Sequence, residues 1–252
     1  MRIASLGSGS AGNATLIEGG GTRLLVDCGF GPRVMARRLR ALQVEPESID
    51  AVVLTHEHSD HVRGIGRFAG PRGIPVHGTA GTLRATPDLP AEVEVFDAHA
   101  PLRLGGLAIE PFPTVHDAAE PCQLVVSDGR FRFALLTDTG TVTPHIRSVL
   151  AACDGLLLEC NHDVAMLRAG PYPAWVQDRI ASRFGHLNNV QAAELLDELD
   201  VARLQWIMAG HLSQRNNSVD AVWSALHGAV AGTDAVVDVL TQEGDARWRE
   251  LL

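Results

Sequence analysis

Two mostly antiparallel β-sheets covered by helices on both outer sides, a layered fold of the α/β (α+β) class, is what this sequence predicts, and three observations point to it. Short apolar runs of strand length recur along the chain, with amphipathic helical patterns interleaved between them. Gly-rich and Asp-Gly segments join some of these runs directly, which marks those pairs as hairpins. With 252 residues at 46% hydrophobic the chain can bury one sizeable core, so a single domain over 1–252 is expected.

In chain order, strands are expected over 2–6, 14–17 and 24–27. Gly19-Gly20-Gly21 reads as the hairpin turn between the second and third, and no Lys-Ser/Thr follows it as a phosphate-binding loop requires. A helix over 33–42 carries Arg33, Arg37 and Arg40 as one stripe, which reads as a solvated face before a phosphate track. A strand at 52–55 follows. The runs 124–126 and 131–136 flank Ser127-Asp128-Gly129-Arg130, a tight turn, so Asp138 arrives at the end of a hairpin strand. Helices over 145–152, 175–183, 190–199 and 219–230 then alternate with strands over 156–159, 205–208 and 235–240. Asn188 or Asn189 can cap the 190–199 helix. No fixed-period repeat or low-complexity linker interrupts the chain.

A net charge of −9 is the wrong sign for coating nucleic acid by bulk electrostatics. Any such contact must be local, and the arginines at 33–40 with Arg63, Arg67 and Arg72 are the candidates. Cys28, Cys122, Cys153 and Cys160 lie in or beside apolar segments and read as reduced core residues. Cys28 and Cys160 each follow an acidic residue, which leaves an oxidation-sensitive site as the alternative. Trp175, Trp206, Trp223 and Trp248 read as packing residues, and His77, His99, His145 and His227 match no motif. The N-terminus lacks signal-peptide features and no run of about 18 apolar residues occurs, so a cytoplasmic protein without membrane contact is expected.

The strongest chemical signal is Thr55-His56-Glu57-His58-Ser59-Asp60-His61, directly after the apolar run 51–54. His56 and His58, two apart in an extended segment, can face one metal ion, while Asp60 and His61 in the first turn of a following helix can face a second. Imidazole with carboxylate suits zinc, iron or manganese. An exposed polar turn that happens to hold three histidines is the bland alternative. The small-residue loop 5–13 lets backbone N–H groups approach an anion, or is simply a glycine-rich connection.

H-x-H-x-D-H after an apolar strand resembles the metallo-β-lactamase superfamily, and the resemblance implies a four-layer αββα sandwich with metals at one sheet edge. It implies two divalent ions, zinc or manganese with iron as a third candidate. His56, His58 and His116 would hold one and Asp60, His61 and His211 the other, with the Asp138 carboxylate shared. Asp27 resembles that family's aspartate that fixes a ligand histidine's tautomer. Taken alone, Asp27 reads equally as a turn residue before Gly29.

Glu159, with His186 in Gly185-His186-Leu187-Asn188-Asn189, resembles a pair in the transfer-RNA 3′-processing endonucleases, where the glutamate orients the histidine and the histidine serves the leaving group. Leu-Asn stands here where those enzymes carry Ser/Met-Thr. The segments from Ser5 to Asn13, from His116 to Pro121 and from His211 to Asn217, with Asn161-His162-Asp163, are similar to the YycJ (WalJ) subfamily, which implies a metal-dependent 5′-to-3′ exonuclease acting on DNA. In that mechanism the metals supply hydroxide from a bridging water, Asp60 orients it, and His186, kept protonated by Glu159, is the general acid. Asn161 and His162 have no role derivable from the sequence. A small-molecule hydrolase of thioesters, lactones or cyclic phosphodiesters, which would not require the Glu159–His186 pair, is the alternative, followed by a non-catalytic metal-binding module that keeps the ligands as structure. Nothing in the sequence identifies a protein partner.

Overall fold

The computed structural model describes residues 1–252. Its first half comprises β1 (Arg2–Gly7), β2 (Ala14–Gly19), β3 (Thr22–Val26), α1 (Pro32–Ala41), β4 (Ala51–Val53), α2 (Ser59–Val62), α3 (Ile65–Ala69), β5 (Val76–Gly78), α4 (Ala80–Ala85) and β6 (Val93–Val95). Then come β7 (Leu102–Leu104), β8 (Leu107–Pro113), β9 (Cys122–Ser127), β10 (Arg132–Leu136), α5 (Pro144–Leu150), β11 (Gly155–Glu159), α6 (Val164–Ala169) and α7 (Ala174–Ile180). The chain ends with α8 (Asn189–Glu198), β12 (Trp206–Gly210), α9 (Val219–Leu226), β13 (Val236–Val239) and β14 (Arg249–Glu250).

The strands form two seven-stranded sheets, ordered β14-β1-β2-β3-β4-β5-β6 and β13-β12-β11-β10-β9-β8-β7. Alternate side chains of each central strand point to opposite faces, which splits the apolar residues into three layers. Ile3, Leu24 and Val26 meet Leu124, Val126, Phe133 and Leu135 between the sheets. From the same strands, Ala4, Leu6 and Leu25 face outward onto Met35 and Leu39 of α1 and Phe68 of α3. Ala134 and Leu136 pack outward with Ile146 of α5, Leu195 of α8 and Val222 of α9. Strands buried on both faces read as continuous apolar runs, which is why these were the strands visible in the sequence.

The expectation of mostly antiparallel sheets is corrected. β14-β1-β2-β3 and β7-β8-β9-β10 are antiparallel, but β3-β4-β5-β6 and β10-β11-β12-β13 are parallel. The reason is local: wherever a helix lies between two strands, the chain crosses over and re-enters the sheet in the same direction. The carboxyl ends of β3 and β4, and of β10, β11 and β12, therefore emerge on one side of their sheets. The β2–β3 hairpin is as expected. Gly19 pairs with Thr22, and Gly20 and Gly21 form the turn at φ of 56° and 75°, a left-handed pair that glycine adopts without steric cost.

All four cysteines are buried and unpaired. Burial pushes the Cys28 and Cys160 thiols up, which removes the thiolate that the oxidation-sensitive reading needs. The tryptophans divide. Trp206 and Trp248 pack against the cores, whereas Trp175 on α7 and Trp223 on α9 are exposed; α9 turns Val222 and Leu226 to the core instead, and α7 buries only Gln177. Arg33, Arg37 and Arg40 are exposed, as a solvated stripe should be. No helix is long and apolar enough to cross a membrane.

Gly29 clamps the segment that carries Asp60. Its N–H donates to Asn13 O at 2.9 Å, and Asn13 N–H donates to Asp60 O at 2.7 Å. A Cβ at Gly29 would lie 1.7 Å from Asp60 O. Gly29→Ala should therefore cost about 1–3 kcal/mol of stability, read as a lower urea midpoint at unchanged slope.

Candidate metal centre

The seven residues expected as ligands converge where those strand ends meet. His56, His58 and His116 form one group whose ligand atoms lie within 4.8 Å of one another, and Asp60, His61 and His211 form a second. Asp138 joins His56 and His61 in a third, between the two. Thr55 and His56 follow β4, and His58 leads into α2, whose first turn holds Asp60 and His61. Asp138, Glu159 and His211 come from the parallel trio β10, β11 and β12.

Hydrogen bonds fix which ring nitrogen of each histidine faces the centre. His61 Nδ1 lies 2.7 Å from Asp27 Oδ2, and His211 Nδ1 lies 2.9 Å from Glu159 Oε1; carboxylates only accept, so both nitrogens carry the proton. His116 Nδ1 donates to Gly185 O at 3.1 Å. Thr55 Oγ1 donates to Asp27 and accepts from His56 Nδ1 at 3.0 Å. Nε2 is thus the nitrogen that each of these four rings turns to the centre, where a cation would take the place of any proton. His58 is turned the other way, its Nδ1 facing His116 Nε2 at 3.2 Å.

The fit to divalent ions rests on what these atoms lack. His56 Nε2 and Asp138 Oδ2 are buried without any hydrogen-bond partner, a costly state unless a ligand meets them. Burial disfavours the imidazolium of His211, but Asp138, Asp60 and Glu159 outweigh it and raise its pKa to about 10. His61 is likewise raised well above the ordinary range, where burial is outweighed by Asp138, Asp27 and Asp60. The carboxylates thus demand positive charge, which cations at Nε2 would supply. Borderline-hard nitrogen and oxygen donors suit zinc, manganese or iron.

Three residues of the centre, Asp27, Asp138 and His211, have positive φ of 62°, 54° and 56°. Each stands just past a strand end, where the left-handed turn re-aims the side chain, at about 1–2 kcal/mol for a residue with a Cβ. Aspartate and histidine both adopt this region more readily than most residues with a Cβ.

Glu159 is fully buried, and it forms a fourth group of potential ligand atoms with Asp138, His186 and His211, although hydrogen bonds occupy both of its oxygens. Its Oε1 accepts from His186 Nδ1 and His211 Nδ1, both at 2.9 Å, and its Oε2 from Thr139 N and Leu187 N, both at 3.1 Å. Burial would raise its pKa, but His186 and His211 lower it to about 2. Burial lowers and Glu159 raises the His186 pKa, with a net rise. His186 lines an open pocket together with Ser10, His58, Asp60, Asp138, Asn161 and His211.

Most N–H groups of the loop after β1 are not free for an anion. Those of Gly9, Ala11, Gly12 and Asn13 are spent on Asn13 Oδ1, Gln242 Oε1, Gly9 O and Asp60 O. The loop serves the centre instead: Asn13 Nδ2 donates to Asp60 Oδ2 at 3.2 Å, and Ser8 Oγ accepts from His211 N at 2.8 Å. Asn13, Ser8 and Thr55 are the supporting residues that the sequence did not single out. Asn161 donates to His211 O at 3.0 Å, while His162 is buried outside the pocket lining. Arg63 is exposed and donates through Nε and Nη2 to the Gly29 and Ala11 carbonyls.

Residues 22–207 match the β-lactamase superfamily domain. Over 246 residues the chain is 33% identical to exodeoxyribonuclease WalJ of Streptococcus pneumoniae serotype 2 (strain D39 / NCTC 7466), covering 95% of this chain and 91% of that one. It is 31% identical over 222 residues to exodeoxyribonuclease YycJ of Bacillus anthracis, covering 86% and 84%. The crystal structure of the metallo-β-lactamase fold protein YhfI from Bacillus subtilis shares the fold, with a TM-score of 0.73 and 21% identity over 99% of each chain.

Asp27→Asn replaces one acceptor oxygen by an NH₂ group that must face the donors Thr55 N or His61 Nδ1. Competition with a chelator should show metal affinity about 10- to 100-fold weaker than wild type.

Proposed function

The chain belongs to the metallo-β-lactamase superfamily, and we propose that it is a metal-dependent phosphodiesterase, a 5′-to-3′ exonuclease on DNA, working in the cytoplasm as a single domain. Two divalent ions, zinc, manganese or iron, would be held by His56, His58 and His116 and by Asp60, His61 and His211, with Asp138 shared between them. When bound, such ions lower the pKa of water toward neutrality and neutralise charge developing on phosphoryl oxygens.

One observation carries the reading: the His186 ring at the pocket edge, its Nδ1 held by Glu159 at 2.9 Å. Hydrolysis of a phosphodiester expels an alkoxide, which gains from a proton donor as a lactone's ring oxygen also does, whereas a thioester expels a thiolate that has less need of one. Nδ1 donates to Glu159, whose carboxylate favours the protonated ring, so Nε2 would be the atom that offers a proton to the departing ester oxygen. Asp60, whose Oδ2 accepts from Asn13 Nδ2, would orient the attacking water. The exodeoxyribonuclease names of the WalJ and YycJ relatives support DNA as the substrate.

End-labelled, 5′-phosphorylated single- and double-stranded DNA incubated with the manganese-loaded protein tests this. Wild type should release 5′ mononucleotides and Asp60→Ala none; intact DNA at verified metal occupancy would move the assignment to a small-molecule ester. His186→Ala should keep its metals and lose about 10²- to 10⁴-fold in kcat, measured on the same substrate.

A further inference from the structure

An exonuclease must hold the strand that leads away from the scissile phosphate, and a chain of net charge −9 offers no bulk attraction for it. A second cleft, of about 190 Å³, opens beside the metal pocket, and the two share His58 and His186 in their walls. Its far wall is α7, through Val176, Arg179 and Ile180. Trp175 stands one helical turn before Arg179 and is 69% exposed; Phe184, in the turn after α7, is 48% exposed.

That turn is held firmly to the metal centre. Asp117 N donates to Phe184 O at 3.2 Å, His116 Nδ1 to Gly185 O at 3.1 Å, and His186 N to Ile180 O at 2.9 Å. Thr141 Oγ1 donates to Arg183 O at 2.9 Å, and a Cβ at Gly140 would meet Ser182 O at 2.4 Å. The Phe184 ring is therefore presented to water by a fixed backbone. Cations accompany the rings: Arg183 stacks over Phe184 at 4.9 Å, and Arg179, 63% exposed, is anchored to Asp117 at 2.6 Å. These arginines are not the ones that the sequence offered for local nucleic-acid contact.

We propose that α7 and the turn after it form a stacking platform for the single strand of DNA adjoining the scissile phosphodiester, an inference that rests on the exonuclease reading. Trp175 and Phe184 take base faces and Arg183 takes a backbone phosphate, while Arg179, paired with Asp117, walls the cleft. Stacking on aromatic faces is tolerant of sequence, as a strand consumed one nucleotide at a time requires, and the cleft is continuous with the metal pocket through His58 and His186.

Steady-state hydrolysis of a 5′-phosphorylated oligothymidylate by the metal-loaded full chain tests the platform, with circular dichroism to verify folding of each variant. Trp175→Ala and Phe184→Ala should each raise KM roughly 5- to 100-fold with a much smaller change in kcat, and Trp175→Phe should restore most of the KM. Unchanged KM in both alanine variants, while wild type degrades the DNA, overturns the platform and leaves the exonuclease reading standing. Intact oligothymidylate with metal-replete wild type overturns the exonuclease reading and the platform with it.

Discussion

The carboxylate of Glu159 is the constraint on which the centre depends. It is fully buried at the end of β11, where an ionised carboxylate costs several kcal/mol unless its lone pairs are met. Four N–H donors meet them, two from histidine rings and two from the backbone. Those donors belong to different segments: the loop carrying Asp138, the lead into α8, and the turn after β12. One charge thus holds the rings of His211 and His186 and sets the spacing of the loops that carry both.

Asp27 does the same work on the other sheet. It stands past the end of β3 and accepts from Thr55 N, Thr55 Oγ1 and His61 Nδ1, so that one carboxylate orients two ligand rings, His61 directly and His56 through the threonine hydroxyl. Each sheet therefore contributes a buried acid after a parallel-paired strand, and the metal donors lie between the two. Parallel pairing is what makes this possible, since only strands running the same way deliver their carboxyl ends to one place. The left-handed backbone at Asp27, Asp138 and His211 is the local cost of turning those side chains inward.

The parts of this centre legible in the sequence are those whose signal is local. His56, His58, Asp60 and His61 fall within six residues, and their spacing alone implied two half-sites. His116, Asp138 and His211 are single residues far along the chain and became readable only through resemblance. Asn13, Ser8 and Thr55 gain their roles from contacts with residues distant in sequence, except for the Thr55–His56 contact, and no residue pattern announces them. In the fold, the long buried strands were visible, whereas β5, β6 and β7 are three residues each, too short for periodicity. β8 was hidden by Pro111 and Pro113, which argue against a strand by composition. The alternation of strands and helices held the cue for parallel pairing, which the antiparallel expectation passed over.

A double-mutant cycle on kcat for DNA hydrolysis, with Glu159→Gln, His186→Ala and the double variant at equal metal occupancy, tests the coupling most directly. If Glu159 acts through His186, the double variant should lose far less than the product of the two single losses, an interaction of about 1–3 kcal/mol. Losses that simply multiply would contradict the account, because the carboxylate and the histidine would then be acting independently.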